Sequence, residues 1–183
     1  MSLELLGGRM LAPWFGSSIY VWGSIITVFM LALALGYLVG GRLSLHGPTL
    51  TRFAVIFLGA GCILGPLALA AEPITTWVFD RIHDPRYGSL VAALALFVAP
   101  TVVLGMISPY SVSLLVRVRE ESGKVAGTLY FVSTIGSALG TLATSFYFVL
   151  WFEVNNIIIT LSATLLALGV AAVALDRVSV HGR

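Results

Sequence analysis

The sequence predicts an all-α integral membrane protein with about five transmembrane helices and a short N-terminal interfacial segment, and three observations carry that prediction. Of 183 residues, 58% are hydrophobic and 10% charged, against about 45–50% and about 25% in a soluble domain. Mean hydropathy is +1.02. The charged residues also leave five long gaps without Asp, Glu, Lys or Arg, at 10–41, 53–71, 87–116, 125–152 and 154–175. A helix crossing a hydrocarbon core of about 30 Å needs ~20 mostly apolar residues, and each gap supplies that length or falls one residue short. A water-soluble globule is excluded.

Taken in order, residues 1–15 are too short and too interrupted to span. Leu3, Leu5, Leu6, Met10, Leu11, Trp14 and Phe15 alternate with Glu4 and Arg9, the mixture of an interfacial or half-inserted segment, which Pro13 and Gly16 break from the first span. Span one covers about 17–40, with Tyr20 and Trp22 at headgroup level and with Gly36 and Gly40 in a small-xxx-small arrangement that permits close helix approach. Span two, about 53–71, carries Gly59, Gly61, Gly65 and Pro66, and a tight, kinked helix is expected. The connection 72–87 holds Trp77 and Phe79 beside charged residues and reads as a short interfacial helix or loop. Span three, about 88–116, contains Pro100 and Pro109, so it is either kinked twice or ends near Ile107 and restarts. Broken helices free backbone carbonyls for ligands where protein or water covers them. Span four, about 125–150, sets Gly136 and Gly140 four apart, with Ser133, Ser137 and Thr141 in a second row. Span five, about 155–175, starts at a capping Asn155–Asn156 pair and is an ordinary Ala/Leu/Val helix.

Other classes drop out on the same arithmetic. Spans and connections consume the chain, leaving no room for a folded soluble domain. Cys62, the single cysteine, lies inside span two and packs as a small apolar side chain; no intramolecular disulfide is possible. A formal charge of +2 with dispersed basic residues gives no argument for nucleic acid. The N-terminus lacks the basic, apolar and small-residue regions of a cleaved signal. Strict alternation of the spans puts seven of the ten Lys/Arg residues, Arg42, Arg52, Arg117, Arg119, Lys124, Arg177 and Arg183, on one side, against Arg9, Arg81 and Arg86 on the other. The positive-inside rule makes the richer side cytoplasmic, with the N-terminus outside and the C-terminus inside. A bacterial cytoplasmic membrane is the expected location.

Several spaced blocks resemble a known family. They are Glu4-x4-Arg9-x3-Pro13-x-Phe15-Gly16-x-Ser18-x-Tyr20-x-Trp22, Gly36-Tyr37, Gly40-Gly41-Arg42, Gly105-Met106-x-Ser108-Pro109, and Gly127-x2-Tyr130-x2-Ser133-Thr134-x-Gly136-Ser137-x2-Gly140-Thr141. Together, over roughly residues 4–150, they resemble the membrane portion of the fused spermidine synthase-like membrane proteins, a major-facilitator-like region joined to an aminopropyltransferase domain. Members of that family usually place a further hydrophobic helix ahead of the glutamate motif and continue into a soluble Rossmann-like domain. This chain shows neither, so the resemblance transfers aminopropyl chemistry to no residue here.

Each candidate site has a plain alternative. Glu4 and Arg9 could form a docking or polar site, since an intramembrane ion is costly unless paired, or could be interfacial residues that pair locally. Asp80, His83 and Asp84 lack a specific metal spacing. Gly41 and Arg42 form a candidate cytoplasmic loop, similar to the glycine-and-arginine loop of major-facilitator transporters, or an ordinary basic turn. Ser133, Thr134, Ser137 and Thr141 with Tyr130 could line a polar path; packing is the favoured reading, which makes Gly36, Gly40, Ser133, Gly136, Ser137, Gly140 and Thr141 a helix-packing interface. No catalytic, cofactor or metal residues are expected. The preferred function is a non-catalytic membrane subunit or anchor that assembles with other membrane polypeptides or with itself in the lipid bilayer. The alternative is a small oligomeric transporter or channel for polyamines or other small cations.

Overall fold

The computed structural model describes residues 1–45, 47–116 and 122–181, with side chains described through Arg177. Arg117, Arg119 and Arg183, which contribute to the orientation argument, lie outside the described residues. The described chain is all-helical: α1 (Ser2–Phe15), α2 (Ile19–Ser44), α3 (Leu50–Phe79), α4 (Pro85–Leu115), α5 (Ser122–Ala143), a π-helical segment (Thr144–Phe148), α6 (Val149–Trp151) and α7 (Val154–His181). Five stretches are long and apolar enough to cross a membrane: α2, α3, α4, α7 and the composite Ser122–Trp151. The protein is an integral membrane protein with five candidate spans.

The ends of these helices follow local chemistry. Ser18 and Thr49 precede α2 and α3 in extended backbone, and the Thr49 hydroxyl accepts from the Arg52 amide at 3.3 Å. Asp84 caps α4 by accepting from the Arg86 amide at 2.9 Å, with Pro85 at the first helical position, where its missing N–H costs nothing. Gly16 ends α1 at φ 75, a conformation that disfavours a Cβ.

Several helices run further than the charge gaps suggest. α3 continues through Glu72 and Pro73 to Phe79, so Trp77 belongs to a spanning helix and is not in a separate interfacial piece. At ~1.5 Å per residue α3 is ~45 Å long, more than the ~30 Å of a hydrocarbon core. α4 passes both prolines without a break, because packing on both flanks holds a helix that has lost single hydrogen bonds. α7 begins at Val154, ahead of Asn155–Asn156, with Ile157 donating to the Glu153 carbonyl at 3.1 Å. Cys62 is exposed on α3.

Two glycine-mediated pairs build the body. α2 packs chiefly on α4, and α3 on α7, with α3 and α4 joining the pairs. At Gly36 a Cβ would collide with the Val102 carbonyl oxygen, and at Gly40 one would sit 2.6 Å from that of Met106. The α2 and α4 backbones therefore touch, which is the small-residue approach that replaces hydrophobic driving force between helices in lipid. In the second pair a Cβ at Gly61 would meet Leu166 at 2.7 Å and one at Gly169 would meet Leu58 at 2.7 Å. The buried Ser162 hydroxyl donates to the Gly61 carbonyl at 2.8 Å. Span five thus carries one side of a close interface that its composition did not advertise.

α1 packs across α2, α3 and α4. Leu6 and Leu11 are fully buried, as is most of Phe15. A Cβ at Gly8 would fall 2.6 Å from the Trp22 ring and one at Gly7 3.0 Å from Phe97, so the glycines admit two aromatic rings. Phe15 meets Phe79 edge-on at 5.7 Å, tying the end of α1 to the end of α3. The N-terminal segment is therefore a 14-residue helix packed into the bundle.

Connections are pinned by side chains. Tyr110, wholly buried, accepts from the Thr49 amide at 2.9 Å and donates to the Thr49 carbonyl at 3.2 Å, while stacking on Phe53 at 5.9 Å. Thr51 donates to the Asp176 carboxylate, linking α3 to α7 at the same end. At the opposite end Arg81 lies 4.2 Å over Trp77 and Arg86 4.6 Å over Tyr20, each arginine resting on an aromatic ring.

Candidate functional site

α5 differs from the other spans. It has no buried residue, and in the composite span Thr144 of the π-helical segment is the buried position. Its side chains are nonetheless sorted. Phe131, Val132, Ile135 and Leu139 are exposed on one side, where lipid is the natural neighbour. Tyr130, Ser133, Thr134, Ser137 and Thr141 face a hollow between α5 and the body of the bundle.

That hollow has a volume of about 1020 Å³. α2 contributes Tyr37, α4 contributes Ser108 and Pro109, and Met1 of the N-terminal segment borders it. Two smaller hollows, of about 420 and 370 Å³, share Met1, Ser133 and Ser137 with it. Together they form a cleft along the inner face of α5. Its position follows from the glycine contacts: Gly36, Gly40 and Gly105 draw α2 and α4 together, and Tyr37 and Ser108 project beside that seam toward α5.

The chemistry of the lining is uniform. Among the described residues no Asp, Glu, Lys, Arg or His lines any of the three hollows. Seven hydroxyl-bearing residues line the largest: Tyr37, Ser108, Tyr130, Ser133, Thr134, Ser137 and Thr141. Thr141 donates to the Ser137 carbonyl at 2.8 Å and Ser111 to the Ile107 carbonyl at 2.7 Å, so these two hydroxyls turn lone pairs outward. Pro109 has no N–H, and the Gly105 carbonyl four residues earlier loses its helical donor. Gly105 and Ser108 both border the cleft. The π-helical turn Thr144–Phe148 comes directly after the cleft-lining part of α5, a distortion often found near functional positions.

The residues singled out from sequence separate into groups. Gly36 and Gly40 are in a close interface within the chain. Gly140 lies against α1, with Ser2 donating to its carbonyl at 3.2 Å, whereas a Cβ at Gly136 would meet nothing within 4 Å. Ser133, Ser137 and Thr141 line the cleft. Gly41 and Arg42 correct the expectation of a loop: both belong to the last turns of α2, where Arg42 suits the helix dipole and Ser44 donates to the Gly41 carbonyl at 2.7 Å. Glu4 is half-buried in the first turn of α1 and Arg9 is exposed; five residues apart, they point about 140° away from each other around the helix. Asp80, His83 and Asp84 lie toward the end of α3 and the start of α4, outside the cleft, and among the described residues no group of three His, Cys, Asp or Glu side chains is placed to hold a metal ion. Sequence reasoning missed Tyr37, Ser108 and the Gly105 carbonyl as partners of the α5 row; the Ser108-Pro109 pair was the available signal.

No protein-family model, no curated protein and no solved structure matches the chain.

Proposed function

We propose that the chain is a non-catalytic polytopic subunit or anchor of the membrane, assembling with other membrane polypeptides through α5. The supporting observation is that α5 has no buried residue. Transmembrane helices are held by van der Waals packing and interhelical hydrogen bonds, since lipid is as apolar as the side chains. A span with so little of either gains most from a further helix, and Gly136, with open space over its Cα, lets another backbone come close. The sequence blocks similar to the membrane region of spermidine synthase-like proteins support the same reading. The basic residues support a bacterial cytoplasmic membrane with the α2–α3 connection inside.

Mild-detergent extraction from the native membrane followed by native mass spectrometry tests it. A stoichiometric assembly that Gly136→Leu disrupts, with the melting temperature of the isolated chain unchanged, is the expected result. A monomer, or an assembly indifferent to Gly136→Leu, rejects the reading. Glu4→Gln and Arg9→Gln are expected to weaken that association while leaving all spans inserted; unchanged assembly makes both residues interfacial.

The second reading, a small oligomeric transporter or channel, is favoured by the hydroxyl-lined cleft. Among the described residues its lining has no carboxylate, which argues against a polyamine as cargo, because a multiply charged cation finds no counter-charge there.

A further inference from the structure

Given the assembly reading, on which this rests, we infer that α1 presents Glu4 at mid-membrane depth as the counter-charge for a lysine or arginine of the partner. The partner's transmembrane helix lies against α1, between α2 and α5.

The depth of Glu4 comes from the neighbours of α1. Phe15, at one end of α1, meets Phe79 at the end of α3. At the other end Ser2 donates to the carbonyl of Gly140, inside the Ser122–Trp151 span, and Leu3 shares a hollow with Leu64 from the middle of α3. α1 therefore enters from the face that carries the α3–α4 connection and stops half-way across. Glu4 lies eleven residues from Phe15, ~16 Å along the helix, which is half of a ~30 Å core. Its side chain is too short to reach the headgroups from there. Arg9, six residues from Phe15, is only ~9 Å from that end and has the long stem that reaches them.

An ion at mid-membrane depth is costly unless paired, and within the chain Glu4 has no pair. Among the described residues no hydrogen bond or ion pair reaches it, and Arg9 is turned about 140° away around the helix. Met1, which brings the nearest cation in sequence, borders the three hollows, whereas Glu4 lines none of them. The first-turn position lets the α1 dipole favour the carboxylate, which keeps the charge there without neutralising it.

The place of the partner follows from the part of α1 that is left open. Gly8 turns to the Trp22 ring of α2, and Ser2 to Gly140 of α5. Met1, Ala12, Leu5 and Arg9 fall between those two directions, and none of them is buried. Glu4, one turn closer to the middle of the membrane than Gly8, is at the α2 edge of this arc. Lining none of the three hollows, it has no chamber there in which a diffusible cation could be held. A helix that arrives through the bilayer instead carries its own basic side chain at a fixed depth, and the pairing sets the register between the helices.

The test uses the full chain in phosphatidylcholine vesicles, with a donor dye on Asp80→Cys in a Cys62→Ala background, and acceptor-labelled leucine–alanine transmembrane peptides bearing one central lysine, glutamate or leucine. The central-lysine peptide is expected to associate saturably and roughly tenfold more tightly than the central-leucine peptide. Glu4→Gln should remove that preference. Glu4→Lys should transfer it to the central-glutamate peptide, an outcome that misfolding does not produce. Equal binding of the three peptides, a lysine preference that survives Glu4→Gln, or a Glu4→Lys variant with no preference for glutamate would each overturn the proposal. Displacement of the lysine peptide by spermidine would overturn it too, by assigning Glu4 to a diffusible cation. Native mass spectrometry of the membrane extract reads assembly separately: a stoichiometric assembly without lysine preference fails the Glu4 pairing alone, and a monomer fails the assembly reading beneath it.

Discussion

Thr101 is 1% exposed, and its hydroxyl has no hydrogen-bond partner among the described residues. A buried hydroxyl left unpaired costs roughly 1–3 kcal/mol by mutational data, and valine has the same shape without it. Thr101→Val is therefore expected to raise the melting temperature in detergent by about 2–4 °C per kcal/mol recovered; a lower melting temperature would show that the hydroxyl is satisfied in the bilayer. The glycines make a contrasting pair. A Cβ at Gly36 collides with the Val102 carbonyl, while one at Gly136 enters open space. Gly36→Ala should destabilise the isolated chain by about 1–3 kcal/mol through forced separation of α2 and α4, whereas Gly136→Ala should leave its melting temperature nearly unchanged. Both positions carry the same four-residue glycine spacing in the sequence, so spacing reports that a close approach is possible and says nothing about which helix makes it.

At the scale of elements, the α2–α3 connection is clamped from a distance by Tyr110, which uses its one hydroxyl for both the amide and the carbonyl of Thr49. Tyr110→Phe keeps the stacking on Phe53 and removes both bonds. A loss of about 1–3 kcal/mol is expected, together with faster hydrogen exchange confined to residues 47–52. The α3–α7 pair rests on packing around Gly61 and Gly169, with Ser162 adding one interhelical hydrogen bond. Such bonds average about 0.6 kcal/mol in membranes, so Ser162→Ala should cost little, and Gly169→Leu, which drives a bulky side chain into Leu58, should cost several times more in the same detergent melt.

At the scale of the whole molecule, the body consists of two glycine-sealed helix pairs with α1 filling the space beside them, and α5 stands off behind a polar cleft. Orientation is a property of the entire chain. With Cys62→Ala as background, a cysteine at Arg42 should react only from the cytoplasmic side of sealed vesicles and one at Asp80 only from outside; the reverse pattern inverts the assignment.

The five candidate spans were legible in the sequence, because crossing hydrocarbon demands a run of uncharged residues whatever the neighbours are. The close-packed Gly36 and Gly40 were legible because a small-xxx-small spacing answers to contact distance. Helix ends were less so, since α3 and α7 extend into charged flanks that bear no hydropathic mark. The partition of the Ser133, Ser137 and Thr141 row between packing and cavity lining was not legible at all. A hydroxyl on a small-residue face suits both, and only the distance at which α5 is held from α2 and α4, a sum of contacts made elsewhere in the bundle, decides between them. The tertiary structure alone brought Tyr37, Ser108 and the Gly105 carbonyl to the same cleft, because residues on three helices far apart in sequence share a site only once glycine contacts have set which helices touch.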